Sequence, residues 1–336
     1  MMTIKKYLNH DKNLTRLFAI LIIVTILFTA LKGSLFMSVA NFQSMGKQFP
    51  EFGLLSIAMA MALFTGGIDL SLVYIATLSA VLVAKLLPVL VTEDMSAAHA
   101  NVMILLCFAV AVGVGALCGA INGLLISGIG IPAILATLGT QSLFRGIAVV
   151  LTGGSTLSGF TPHMSGMINA NVFGVPITVL IFLVCAIVIG FILSKTVLGY
   201  KLRMLGTNSK ATSFCGMNNV SLYTVSYTLG GILAAVAGII MIGRFNSAKA
   251  DYGASYTMQS ILIAVLGGVD PSGGKGNIQG VCIGVVIIQM VSSWLNMYEN
   301  ISNFYRQIIF GVLLILVLIM NHYLVLHERK KAMKKS

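Results

Sequence analysis

The sequence predicts an all-α, polytopic membrane protein with about ten hydrophobic segments, arranged as two related halves with broken helices. Three observations carry that fold class. Of 336 residues, 57% are hydrophobic and only 9% charged, where soluble proteins carry roughly a quarter, and the mean hydropathy is +0.97. The apolar residues fall into runs, most of them near the ~20 helical residues that cross a bilayer core. A six-residue pattern of paired glycines followed by an aspartate also occurs twice, each time between apolar runs.

In order, the runs cover 17–31, 52–65, 72–91, 102–127, 131–151, 175–194, 222–243, 257–268, 278–295 and 307–326, which predicts eight to ten spans. The first follows a basic lead-in, as in a signal peptide. Thr29-Ala30-Leu31-Lys32 offers no small-residue cleavage site, so this span is expected to be retained. The net charge of +12 invites a nucleic-acid reading, but its placement argues for membrane topology instead. Lys5, Lys6, Lys12 and Arg16 precede the first span, Lys195, Lys201, Arg203 and Lys210 fill a central loop, and Arg329, Lys330, Lys331, Lys334 and Lys335 end the chain. Positive charge beside spans marks the cytoplasmic face. Both termini and the central loop are therefore expected inside, with six crossings before the loop and four after it. Segments 92–100, 153–174 and Arg244–Tyr256 then fall outside.

Several kinds of chemistry lack the residues they need. GGVDPSGGKGN at 267–277 looks like a phosphate-cradling loop, but Lys275 is followed by Gly276 where a P-loop needs a hydroxyl. Cys107, Cys118, Cys185, Cys215 and Cys282 have no metal or redox spacing and read as small packing residues. His10, His99, His163, His322 and His327 are scattered and form no metal constellation. With no nucleophile–base cluster either, an enzyme, a metal site and a bound cofactor are not expected.

The aspartate pattern reads Gly66-Gly67-Ile68-Asp69-Leu70-Ser71 and Gly267-Gly268-Val269-Asp270-Pro271-Ser272. Paired glycines break a helix, and Pro271 reinforces the second break. Between Glu51 and Gly66 lie 14 residues, about 21 Å of helix, so the first break is expected within the membrane, buried in protein or facing a watery cavity. Asp69 and Asp270 are costly at that depth. Each either caps the helix after its break, with Ser71 or Ser272 beside it, or contacts the solute or a coupling ion.

Thr137, Thr140, Gln141 and Arg145 share one face of a helix after Pro132. That face lines a pathway or hydrogen-bonds to another helix, with Arg145 alternatively an anchor at the outer end. Arg244, Asn246 and Lys249 are expected to cap the outer end of a span, with contact to the substrate as the alternative. Tyr298 and Tyr305 read as interfacial aromatics, and Arg306 with Gln307 as anchor or lining. The glycine spacing of GVGALCGAING (113–123) predicts close helix packing. In the central loop, Asn208 can cap a short helix through Ser209 to Phe214 that Gly216 ends. This helix is either a solvated connector or an element that docks in a groove on a cytoplasmic partner.

GGIDLS (66–71), PAILATLGTQSLFRG (132–146), GTNSKATSFCGMN (206–218), GGILAAVAGII (230–240) and GGVDPSGGKGN (267–277) follow one another in an order that resembles a known family. It is the inner-membrane permease subunits of bacterial ATP-binding-cassette importers for ribose and related monosaccharides. The resemblance covers nearly the whole chain and implies a single transmembrane domain over 1–336. Its first half lies at about 17–194, a cytoplasmic coupling loop at 195–221, a second half at about 222–326 and a basic cytoplasmic tail at 327–336. It also implies a homodimer or a heterodimer with a second permease, cytoplasmic ATP-binding subunits and a periplasmic or surface-tethered sugar-binding protein. Gly206, Asn208, Ala211 and Gly216 match the ATPase-contacting loop. Two positions depart from the pattern: Ala211-Thr212 replaces paired alanines, and Leu72-Val73 replaces a glycine after GGIDLS. The rival reading is a secondary transporter coupled to protons or sodium through Asp69 or Asp270.

Overall fold

A computed structural model describes residues 12–92, 95–298, 305, 308–320 and 323. The basic terminal residues other than Lys12 and Arg16, His10, His322, His327, Arg306 and Gln307 lie outside the described residues. Each of the ten apolar runs has a helix over most of its described residues: α1 (Lys12–Phe36), α2 (Val39–Phe64), α3 (Leu72–Leu90), α4 (Ala97–Ser127), α5 (Ala133–Thr152), α7 (Ile177–Lys195), α10 (Asn219–Phe245), α11 (Tyr256–Leu266), α12 (Ile278–Asn296) and α13 (Ile308–Met320). Between them stand three short helices, α6 (Pro162–Ile168), α8 (Val197–Thr207) and α9 (Ser209–Phe214). Seven of the helices are long and apolar enough to cross a membrane; α11 and α13 are shorter apolar helices. The first half of α2 carries Lys47 and Glu51, which lowers its apolar character although its 26 residues suffice in length.

α2 corrects one expectation. It runs unbroken through Pro50 and Glu51, so the first glycine break follows about 39 Å of helix rather than a half-span. Glu51 marks the end of the apolar run but not of the helix, because its charge has a buried partner described below. In the second copy the preceding helix is short as expected: α11 has 11 residues, about 16 Å.

The core centres on α10, which packs most extensively on α4 and then on α2 and α3. Gly115, Gly119 and Gly123 of α4 make that approach possible. A Cβ on Gly115 would stand 2.6 Å from both the Ala235 Cβ and the Gly231 carbonyl oxygen, and one on Gly119 would overlap the Tyr227 backbone. Small residues at this spacing let two membrane helices touch backbone to backbone, as the 113–123 pattern predicts. Gly119→Leu is expected to cost about 3 kcal/mol or more, since overpacking typically costs roughly 1–3 kcal/mol and this contact is backbone to backbone. Gly113→Ala, which faces open space, should be neutral. Fluorescence-detected size-exclusion melting curves of the two variants check this.

α10 also defines two ends of the bundle, being 27 residues or about 40 Å long. At its first turn Asn219 donates to the Ser209 carbonyl (2.7 Å) and to the Ser213 hydroxyl (2.8 Å) of α9. At its last turn the Gly243 carbonyl accepts from Asn169 (3.0 Å), beside α6. There β1 (Leu157–Ser158) pairs antiparallel with β4 (Ser247–Ala248), joining the two segments expected on the outer side. β2 (Asn171–Val172) and β3 (Val175–Pro176) form a hairpin nearby in sequence.

Candidate functional site

The two glycine breaks, far apart in sequence, meet. The Gly274 N–H donates to the Phe64 carbonyl at 3.1 Å, joining the second break to the end of α2. Gly206, at the end of α8, is wedged between the same two groups: a Cβ there would collide with the Phe64 carbonyl oxygen and stand 2.5 Å from the Gly274 nitrogen. A Cβ on Gly273 would meet the Gly206 carbonyl oxygen at 2.6 Å and the Gly66 Cα at 2.9 Å. Gly66 (φ 79°) and Gly273 (φ 92°) adopt left-handed backbone that side chains resist. Three chain segments thus converge at backbone contact, at the end of the bundle that holds the central loop.

The breaks are not conformational copies. In the first, Gly66 is left-handed; in the second it is Gly268 (φ 89°), the other member of the glycine pair. The aspartates differ from the capping expectation as well. Asp69 Oδ1 accepts from the Ser71 N–H (2.9 Å) and hydroxyl (2.7 Å), an Asx turn ahead of α3 rather than a cap on its first turn. Asp270 Oδ1 accepts only from the Ser272 N–H, at 2.9 Å among the described contacts. α12 is capped instead by Asn277, whose Oδ1 accepts the Gln279 N–H at 3.1 Å. Asp69 is buried and Ser272 exposed.

Around Asp69 the network extends to two helices. Asn122 of α4 donates to the Ser71 hydroxyl at 2.8 Å. The Thr137 hydroxyl accepts the Leu70 N–H (3.2 Å) and lies 3.1 Å from the Ile68 carbonyl and 2.8 Å from that of Ala133. Of the predicted polar face on α5, Thr137 therefore clamps the first break. Gln141 is half-buried, and Arg145 forms an exposed ion pair with Asp251 at 2.8 Å. These three residues do not form one cluster.

In the central loop, α9 has the predicted bounds. Asn208 Oδ1 accepts from Lys210 N–H (3.1 Å) and Ala211 N–H (3.0 Å), and Gly216 is left-handed (φ 74°) after its end. α8 was not expected: the loop carries two helices rather than one. Thr212, at the position of the missing second alanine, is buried, and its hydroxyl lies 2.8 Å from the Ser209 carbonyl and 2.9 Å from Asn219 Oδ1. It ties α9 to α10. Phe214 protrudes at 92% exposure. A cleft of about 590 Å³ separates α9 from the first break, with Thr65, Ser127, Ser213 and Asn218 among its neutral polar lining.

A family profile described as "Branched-chain amino acid transport system / permease component" matches residues 41–318. The chain belongs to this permease family. The permease is 32% identical to the Ribose import permease protein RbsC of Bacillus subtilis over 94% of this chain and 91% of that relative. It is 29% identical to the D-allose transport system permease protein AlsC of Escherichia coli K12, over 89% and 88%. To the Autoinducer 2 import system permease protein LsrD of Photorhabdus luminescens it is 31% identical, over 90% and 89%. No solved structure matches it.

The permease holds one feature that sequence reading missed. Asn246 is the left-handed C-cap of α10 (φ 48°), but the Arg244 guanidinium in its last turn points inward, donating at 2.5 Å to Glu51 Oε1, and the Tyr256 hydroxyl donates to the same oxygen. Glu51 is fully buried. A lone acid beside an apolar run was the available signal, because such a residue requires a partner base. Asn122 gave a weaker one, a single amide within a glycine-rich helix.

Proposed function

We propose that the chain is the membrane subunit of an ATP-binding-cassette importer in the bacterial inner membrane, with both termini cytoplasmic, that carries a monosaccharide or a similar neutral polar solute. It works as a homodimer or with a second permease, takes solute from a periplasmic or surface-tethered binding protein, and is driven by cytoplasmic ATP-binding subunits. Similarity to permeases named for ribose, D-allose and autoinducer 2 supports the solute class. Neutral hydrogen-bonding groups suit such solutes, with Gln141 the candidate lining, Arg145 near the outer mouth, and Thr137 reaching a pathway only when the first break that it clamps opens.

The observation that carries the mechanism is the convergence of Gly206 on both breaks. α9, with Ala211 exposed and Phe214 protruding, fits a helix-in-groove contact with the ATPase. Asn208 and Gly216 fix its two ends. A push on α9 passes through Gly206 to Gly66 and Gly273, and the related halves at about 17–194 and 222–326 rock about the two breaks.

Co-purification from native membranes tests the reading: a stoichiometric P-loop subunit should accompany the permease, and uptake into proteoliposomes should require ATP. Solute movement by the chain alone under an ion gradient would sink it. Asp69→Asn separates the rival. With Asp69 as a turn residue, the variant should keep ATP-driven uptake with unchanged pH and sodium response. It should lose about 1 kcal/mol of stability as a charge-assisted acceptor becomes a neutral one. Lost sodium or proton dependence would make this carboxylate a coupling group.

A further inference from the structure

A groove of about 1270 Å³ opens between α1, α7, α8 and α12, and at one end it reaches Arg203 and Gly276, beside the glycine convergence. Its walls are apolar, with Phe18 of α1, Leu183, Ile187 and Phe191 of α7 and Ile283 of α12 along its length. Phe18, Leu183, Ile187 and Phe191 each leave more than two fifths of their surface uncovered. One end of the groove is different in kind. Lys195 and Arg203 line it together with Thr196, Tyr200, Asn277 and Gln279, and no carboxylate is among the lining residues.

Among the described residues neither cation has a carboxylate partner. The ion pairs of the described residues are Arg145–Asp251 and Arg244–Glu51. Arg203 rests over the Phe64 ring at 5.5 Å, and its Nε is buried with no acceptor. An anion would be met from the groove by the part of Arg203 that lines it and by the exposed Lys195, not by the buried Nε. The apolar walls require that this anion carry hydrocarbon.

We propose that this groove is a binding site for an anionic phospholipid, its phosphate held by Lys195 and Arg203 and its acyl chains lying along α7 and α12. Basic pockets between membrane helices take such headgroups, each basic group adding about a factor of five in affinity. The site lies in the leaflet at the central-loop end. Arg203 belongs to α8, the helix that ends at Gly206, so a bound lipid would restrain the element that contacts both breaks.

The test is native mass spectrometry of the assembled permease complex, with melting curves in detergent supplemented with phosphatidylglycerol or phosphatidylcholine. The wild type should retain phosphatidylglycerol preferentially and melt higher with it. Lys195→Gln with Arg203→Gln should weaken that preference ~30-fold. Lys195→Gln alone, at an exposed position that any folded variant tolerates, should weaken it ~5-fold, and Lys85→Gln, outside the groove, should leave it unchanged. Equal retention of the two lipids, no effect of Lys195→Gln, or full stabilisation by soluble glycerol phosphate alone would overturn the proposal. So would retention of the lipid by the permease alone but not by the assembled complex, which would make the groove a protein contact.

Discussion

Replacing Gly206 by valine is expected to separate ATP hydrolysis from solute movement. The site has no room for a side chain, since Cβ alone would collide with the Phe64 carbonyl and crowd the Gly274 nitrogen. Relief requires the two to part, and with them the backbone bond that joins the breaks at 3.1 Å. The exposed face of α9, proposed to dock the ATPase, is untouched, because Asn208 and Thr212 still fix that helix to its own cap and to α10. In the reconstituted complex, uptake should fall at least about tenfold while ATPase activity changes by less than about twofold. A perturbation of roughly 1–3 kcal/mol between two arrangements shifts their ratio by about 5–150-fold. Gly206→Ala should give a smaller loss in the same direction. Gly139→Ala and Gly146→Ala on α5, where a Cβ meets nothing within 4 Å, should transport normally. Wild-type uptake by Gly206→Val would show that the convergence carries no motion. Loss of assembly as well as uptake would make it a folding element only.

What the sequence made legible is local. Asn208 and Gly216 bound α9 because cap chemistry acts within a few residues, and the spacing of Gly115, Gly119 and Gly123 reports a close neighbour without saying which. The glycine pairs at 66 and 267 announced breaks for the same reason. Their meeting was not legible, since nothing in either motif encodes the other's position, and Gly206 read as part of a docking loop when it is packed beneath it. The shared pattern was also misleading about backbone: Gly66 and Gly268 are the left-handed residues, and Asp270 repeats the turn of Asp69 without its burial or its serine hydroxyl bond. Glu51 failed for a different reason. Hydropathy scores the isolated side chain, so a charge neutralised by Arg244, far along the chain, looks like the end of a helix.

That hidden pair carries the other large expected effect. Glu51 joins three helices through one oxygen, taking hydrogen bonds from Arg244 of α10 and from Tyr256 at the start of α11. Removing one partner of a buried ion pair leaves an uncompensated charge and costs about 3–5 kcal/mol, whereas replacing both by apolar groups of similar size is often neutral. Arg244→Met should therefore lower stability by about that amount, and Glu51→Met with Arg244→Met should recover most of it. Glu51→Gln, which keeps an acceptor for both donors, should fall between. Thermal melts of the purified permease give all three values; equal losses in single and double variants would mean that packing, not charge, holds this region. The pair has a mechanical consequence too. α2 leads into the first break and α11 into the second, so the Glu51–Arg244–Tyr256 cluster ties the middle of α2 to the start of α11, well away from the point where the two breaks meet Gly206. If the halves rock about that meeting point, the double variant, though stable, should transport more slowly than wild type, because its helices are no longer held to move as one.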